Sequence, residues 1–328
     1  MNRGFWATLP KPFFVLAPMA DVTDAAFRRI IAQESNKYGG KPAAMWTEFV
    51  SADGLVLAPE EGKRKLLADL MYSESERPIV AQFFTSRPEI MEKVAALAAE
   101  LGFDGVDINM GCPDKSIEKQ KAGAAMMRDP KRAQEVIAAA KRGASALPVS
   151  VKTRIGYNKD ELDTWLPALF ETGLAALTIH ARTRKEMSAV PAHWDAVARA
   201  VILRNKHAPE TLILGNGDVK DSIEARTRVE ETGCDGVMLG RAIFGNPWLF
   251  SEKIPPLKER LTVMVEHTKL FEELLPHKSF AIMKKHYKAY VKDFDGAAEL
   301  RGELMNAKNA SEVASLVDTF CLPRSDFA

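Results

Sequence analysis

TLILGNGDVKDSIEARTRVEETGCDGVMLGRA, residues 211–242, holds two short apolar runs, TLILGNGD (211–218) and GVMLGRA (236–242), on either side of a helical pattern. The apolar residues run continuously instead of alternating, which suits parallel strands buried on both faces. The same unit recurs outward toward the N-terminus in FFVLAPMA (13–20), AAMWTEFV (43–50), PIVAQFF (78–84), GVDINMG (105–111), PVSVKTR (148–154) and AALTIHAR (175–182). Eight strand–helix alternations with right-handed crossovers close naturally into a (β/α)8 barrel of the α/β class. A doubly wound open sheet is the competing architecture. No GxGxxG follows the first run, which counts against its dinucleotide-binding form.

Start and stop signals punctuate the helices. Ser86 with Glu89 reads as a capping box opening EIMEKVAALAAELG, with Gly102 closing that helix. Asp129-Pro130 reads as N-cap and first helical position of KRAQEVIAAAKRG. After Phe250 the pattern changes. Pro255-Pro256 reads as a linker, and LKERLTVMVEHTKLFEEL, KSFAIMKKHYKAYVK and NASEVASLVDTF all read as helices, the last opened by an Asn309–Glu312 box. Residues 1–250 are therefore expected to form the barrel, and residues 251–328 a small all-helical C-terminal domain.

Size agrees: the 328 residues exceed the ~250 that one such barrel needs. No apolar run approaches the ~18 residues of a membrane span, and MNRGFWATLPKPFF lacks a signal-peptide core, so a cytoplasmic location is expected. Three scattered cysteines, Cys112, Cys234 and Cys321, supply neither a disulfide framework nor a metal site. With 45 Lys and Arg against 44 Asp and Glu, the net charge is +1, so any nucleic-acid partner must be held by a local basic face.

Barrels of this kind do their chemistry at the C-terminal ends of the strands. Those ends carry Met19, Glu48, Gln82, Asn109 with Cys112, Lys152, His180, Asn216 with Asp218, and Gly240-Arg241. One polar residue there is ordinary; seven strands sharing the habit point to a site. The glycines and guanidinium after the seventh and eighth runs lie where barrels bind phosphate, although two tight turns would use the same residues. Lys152 has three readings: charge stabilisation beside a reduced flavin, a Schiff-base lysine, or a structural ion pair. Cys112 precedes Pro113, so its thiol is expected at the mouth, whereas Cys234 reads as buried and inert. In HKSFAIMKKHYKAYVK (277–292), Lys284, Lys288 and Lys292 share one helical face and Phe280, Met283, Tyr287 and Val291 the other, with Lys278 and Lys285 adding charge.

Taken together, these segments resemble the tRNA-dihydrouridine synthase family. APMADVTDAAFRR (17–29), DINMGCP (107–113), AGAAMMRDP (122–130), VKTRIG (151–156), HARTR (180–184), NGD (216–218) and CDGVMLGRAIFGNPWLF (234–250) are similar to its blocks in order. KKHYKAYVK with GAAELRGEL (284–304) resembles its helical C-terminal domain. The resemblance implies FMN as cofactor, NADPH (or NADH) as reductant, tRNA as substrate, and a metal-free monomer. It implies that Pro18, Met19 and Ala20 meet the flavin through backbone, and that Gln82 and Lys152 bond its polar edge. His180, Asn216, Gly217, Asp218, Gly240 and Arg241 would hold ring and phosphate. Asn109 would orient the target uracil, Cys112 would donate the proton, and Lys284, Lys285 and Lys288 would touch tRNA. Two departures stand out. Gln120-Lys121 replaces a frequent glycine pair, and KEMSAVPAHW (185–194) lacks a usual Tyr-Ser-Gly.

Three other activities use some of the same residues: a flavin-dependent dihydroorotate- or dihydropyrimidine-type dehydrogenase acting on a free base, a lysine aldolase, and a non-catalytic RNA-binding protein. The first needs no basic helical tail, the second no flavin, and the third no Cys112, Lys152 or His180.

Overall fold

The eight apolar runs form eight strands in the computed structural model, which describes residues 2–321. They are β1 (Phe13–Leu16), β2 (Met45–Ser51), β3 (Ile79–Phe84), β4 (Gly105–Met110), β5 (Val149–Arg154), β6 (Ala176–His180), β7 (Leu212–Asn216) and β8 (Gly236–Leu239). All pair in parallel, in the order β1-β8-β7-β6-β5-β4-β3-β2. The ring closes where Ala43 N–H donates to Phe14 O (2.8 Å) and Leu16 N–H to Ala44 O (3.1 Å).

Residues two apart on a strand face the same side. That period splits the barrel interior into two zones. Toward the N-terminal end of the strands it is apolar, with Val15, Trp46, Val80, Leu212, Leu214 and Met238 packed on Trp6. Trp6 belongs to a short 3-10 turn, Gly4–Ala7, and its ring lies 5.9 Å from that of Trp46. The turn plugs the bottom of the barrel. One and two steps further along the same faces come Gln82, Asp107 and Asn109, Ser150 and Lys152, His180 and Asn216. The polar zone therefore sits at the C-terminal mouth, above an apolar floor.

Local signals behave as their chemistry requires in most places. Asp129 caps the helix Pro130–Ala144 by accepting from Arg132 N–H, with Pro130 in the first turn. Gly102 follows the helix Pro88–Glu100 at φ +77°, the left-handed conformation that ends helices. Asn309 accepts from Glu312 N–H at the start of Ala310–Cys321. The Ser86–Glu89 capping box does not form. Arg87 is the N-cap without a side-chain bond, and the Ser86 hydroxyl donates instead to Gln120 O (2.6 Å). Pro88 sets the helix start one residue late, which frees Ser86 to brace the loop that carries Cys112.

Beyond Phe250 the described chain forms helices Leu257–Leu274, Met283–Tyr290, Ala297–Leu304 and Ala310–Cys321. The expected long basic helix is shorter than its pattern. Phe280–Ile282 is a 3-10 turn, Lys278 lies before the helix and Lys292 after it. Met283, Tyr287 and Val291 are buried as expected. This region is fastened to the first barrel helix, Ala25–Tyr38: Lys37 pairs with Glu259 (2.7 Å), and Phe27 stacks on His267. Phe27 and His267 are both fully buried, which makes this a packed interface.

Candidate active site

At the barrel mouth a cavity of about 250 Å³ is lined by Pro18, Met19, Lys152, His180, Asn216, Gly217, Asp218, Gly240 and Arg241, together with Arg182. Nine of the residues singled out from the sequence thus surround one space. Gln82, Asn109 and Cys112 do not line it, and neither does Ala20, which is exposed. Strand register puts Asn109 beside Lys152 and Gln82 beside Asp107, so these residues form a neighbouring sector of the same mouth.

The β7–β8 side is built on glycine and arginine. Gly217 adopts φ +134°, and a Cβ there would lie 2.9 Å from Ala192 and 3.3 Å from the His180 ring. Only glycine passes that point without displacing the ring. Asp218, itself at φ 55°, accepts from Ala192 N–H and bridges Arg182 and Arg241. The hydrogen bond from Arg182 holds its carboxyl below the ordinary carboxylate range. Asn216 Nδ2 donates to Met238 O (2.8 Å), and Trp194 Nε1 to Gly217 O (3.0 Å), fixing the turn from both sides.

Lys152 reaches the cavity with no carboxylate hydrogen-bonded to it among the described residues. Burial, aided by the repulsion of Arg154, pulls its ammonium down to about 8, and Asp107 partly offsets this. Burial and the surrounding cations keep His180 far below its ordinary value, hence neutral. Lys152, Arg182 and Arg241 against the single carboxylate of Asp218 give the cavity a net positive lining. A planar ring with an anionic phosphate fits that donor set.

Cys112 is half-buried on the loop after β4, and burial pushes its thiol pKa up. Asn109 Oδ1 accepts from the N–H groups of Gly111 (3.1 Å) and Cys112 (2.9 Å). Ala124 N–H donates to Cys112 O (2.9 Å), and Gly123, at φ +59°, comes too close to that carbonyl to carry a Cβ. Glu118, on the short helix Lys115–Lys119 that follows, is gripped by two nitrogens of Arg184, whose guanidinium also stacks on Tyr157 (5.3 Å). Lys121, which departs from the glycine pair, takes the left-handed conformation a glycine would favour (φ 58°). Cys234 is buried, and its thiol donates to Gly236 O (3.3 Å).

Four residues here escaped the sequence reading. Asp107 is fully buried between Gln82 and Ser150, and burial raises its carboxyl to about 6. Arg154 donates to Gly111 O (2.8 Å), Thr183 O (3.1 Å) and Met187 O (2.9 Å), tying the cysteine loop to the loop after β6. Arg182 and Arg184 are the others. Inward parity with Asn109 and Lys152 would have found Asp107 and Arg154. Nothing in the spacing of HARTR tells its two arginines' partners.

Lys284 and Lys285 are partly exposed and Lys288 exposed, all away from this cavity. Lys292 lines an adjoining cleft of about 680 Å³ with Lys220, Arg241, Lys253 and Arg260. Lys278 does not belong to the basic face. Its ammonium is buried against Glu48 (2.7 Å) and Asp69 (3.2 Å).

A family model described as dihydrouridine synthase matches residues 15–324. A probable tRNA-dihydrouridine synthase of Staphylococcus epidermidis is 40% identical over 326 residues, covering 98% of this chain and 97% of the relative. A probable tRNA-dihydrouridine synthase 2 of Bacillus subtilis is 41% identical over the same shares. Among solved structures, a morphinone reductase in complex with tetrahydroNAD superposes with a TM-score of 0.50 at 14% identity, over 76% of this chain and 87% of the other. At that identity the likeness concerns the fold.

Proposed function

Since the chain belongs to the dihydrouridine synthase family, we propose that it is an FMN-dependent tRNA-dihydrouridine synthase, reducing the 5,6 double bond of a uridine in folded tRNA at the expense of NADPH or NADH. The observation that carries this reading is one mouth holding an anion-seeking cavity beside a protonated thiol. Lys152, Arg182 and Arg241 line the cavity, and Cys112 is anchored through Asn109 one strand away.

FMN, when bound, supplies the hydride for C6 of the uracil. The chain supplies the rest. Gly217, Gly240 and Arg241 would receive the phosphate, with Asp218 holding Arg241 in place and contributing through its backbone, because its carboxylate is committed to two arginines. Pro18, Met19, Asn216 and neutral His180 would border the ring, and Ala20 would follow on the same loop. Lys152 would place positive charge at the ring's polar edge. Cys112 would donate the proton to C5, a role that needs a thiol, and burial keeps it one. Asn109 would present its amide to the uracil.

A stacked uridine cannot enter the mouth, so it must be turned out of the tRNA at a cost of a few kcal/mol. Phosphate contacts by Lys284, Lys285 and Lys288, in a tRNA-binding segment spanning 251–328, would offset that cost. No helix among the described residues is long and apolar enough to cross a membrane, and the cytoplasm is where the substrate resides.

The protein should purify yellow and release FMN on denaturation. Cells lacking the gene should lose dihydrouridine at one tRNA position and regain it with the gene. A colourless protein that takes up no FMN, with unchanged dihydrouridine in the deletion strain, would overturn the reading.

A further inference from the structure

Four side chains beneath the cysteine loop form a chain of hydrogen bonds whose direction is set by one end. Asp107 accepts from Ser150 Oγ and from Gln82 Nε2 (2.6 Å). Gln82 Oε1 accepts from Asn109 Nδ2 (3.1 Å). Asn109 Oδ1 accepts from the N–H groups of Gly111 and Cys112. Asp107, Gln82 and Ser150 are buried, and so is Asn109. Water is excluded from the chain, so an unpaired donor or acceptor in it carries its full desolvation cost.

The order of donors follows from the residue types. A carboxylate can only accept. Gln82 must therefore turn its NH2 toward Asp107 and its oxygen toward Asn109. Asn109 must answer with its own NH2, which leaves its oxygen for the two backbone N–H groups of the loop. Were Gln82 turned over, its NH2 would meet that of Asn109. If Asn109 then turned as well, its NH2 would face the N–H groups of Gly111 and Cys112. Either reversal opposes donors in a buried space.

We propose that Asp107 is a positioning residue: by accepting from Gln82 it orients both amides and so anchors the backbone of Cys112. Its catalytic consequence rests on the reading of Cys112 as proton donor; the anchoring itself does not. Asparagine at 107 can still offer an oxygen to Gln82 while donating to Ser150 Oγ, so it preserves the direction of the chain. Leucine, similar in size, offers nothing.

The test compares wild type, Asp107→Asn and Asp107→Leu as purified holoenzymes, by iodoacetamide alkylation read separately at Cys112 and at buried Cys234, and by steady-state reduction of tRNA. Asp107→Leu should alkylate Cys112 roughly tenfold faster with Cys234 still protected, a local opening. Its kcat should fall about a hundredfold, the effect of a displaced reacting group, with KM for tRNA nearly unchanged. Asp107→Asn should stay close to wild type in both. Wild-type alkylation and kcat in Asp107→Leu would overturn the proposal. So would Asp107→Asn behaving like Asp107→Leu, because charge would then matter and direction would not. If Asp107→Leu exposes both thiols it has unfolded, and Gln82→Met, which cuts the chain one link later, decides by the same criterion. An inactive wild type would refute the proposed function while leaving the alkylation arms to judge Asp107.

Discussion

Replacing Lys278 by Met removes the cation through which the helical region holds the barrel mouth. In the native protein its ammonium lies 2.7 Å from Glu48, 3.2 Å from Asp69 and 3.7 Å from Asp21. The Lys278 and Glu48 side chains are 11% and 7% exposed, so this is a buried pair. At an effective dielectric constant near 20, the 2.7 Å contact is worth about 6 kcal/mol of attraction, from which the desolvation of both charges must be subtracted. Leaving Glu48 buried without its partner should cost about 3–5 kcal/mol of stability at pH 8.

The pH dependence has a defined sign. Burial raises the Glu48 carboxyl above its ordinary value even with Lys278 holding it down. Without Lys278 it rises further, so the folded state keeps a proton that the unfolded state gives up. A raised carboxyl loses stability as pH increases from the unfolded pKa through the folded one. The deficit of Lys278→Met should therefore be small near pH 5 and grow toward pH 8. Urea unfolding at both values measures it, and adding Glu48→Gln should recover most of it. A deficit below about 1 kcal/mol at pH 8, the range of exposed pairs, or one independent of pH would refute the reasoning. Glu48 also accepts from Asp21 N–H, so the variant should loosen the loop that carries Pro18 and Met19.

Two further outcomes concern the ligands. Lys284→Ala with Lys288→Ala should weaken tRNA binding and make log K against log salt shallower by roughly 0.7–0.9 per lost phosphate contact, with flavin content unchanged; filter binding across a salt series checks this. Gly217→Ala should cost about 1–3 kcal/mol from its positive φ and sharply lower flavin content, since its Cβ meets Ala192 at 2.9 Å; a colourless but folded variant is the expected product.

The barrel was legible because eight short segments rich in β-branched and apolar residues recur between helical patterns, and because Asp129 and Gly102 mark helix ends by local chemistry. Strand-end position alone gathered Lys152, His180, Asn216 and Arg241 around one cavity. What the sequence hid depends on long-range pairing. Lys278 reads as one more lysine in a basic run until Glu48 and Asp69, more than 200 positions away, are seen to enclose it. Ser86 has the spacing of a cap, yet Pro88 shifts the helix start and its hydroxyl goes to Gln120. Asp107 shares the inward parity of Asn109, but its role shows only once Gln82 and Ser150 are seen to donate to it.

Cys112, on the proposed function, gives a proton to a uracil whose neighbouring carbon receives a hydride from bound flavin. Anaerobic mixing of photoreduced enzyme with unmodified tRNA, comparing wild type and Cys112→Ala, tests it directly. Wild type should form one dihydrouridine per flavin, and a yellow, folded Cys112→Ala variant that still binds tRNA almost none. Equal single-turnover rates in the two proteins would contradict it.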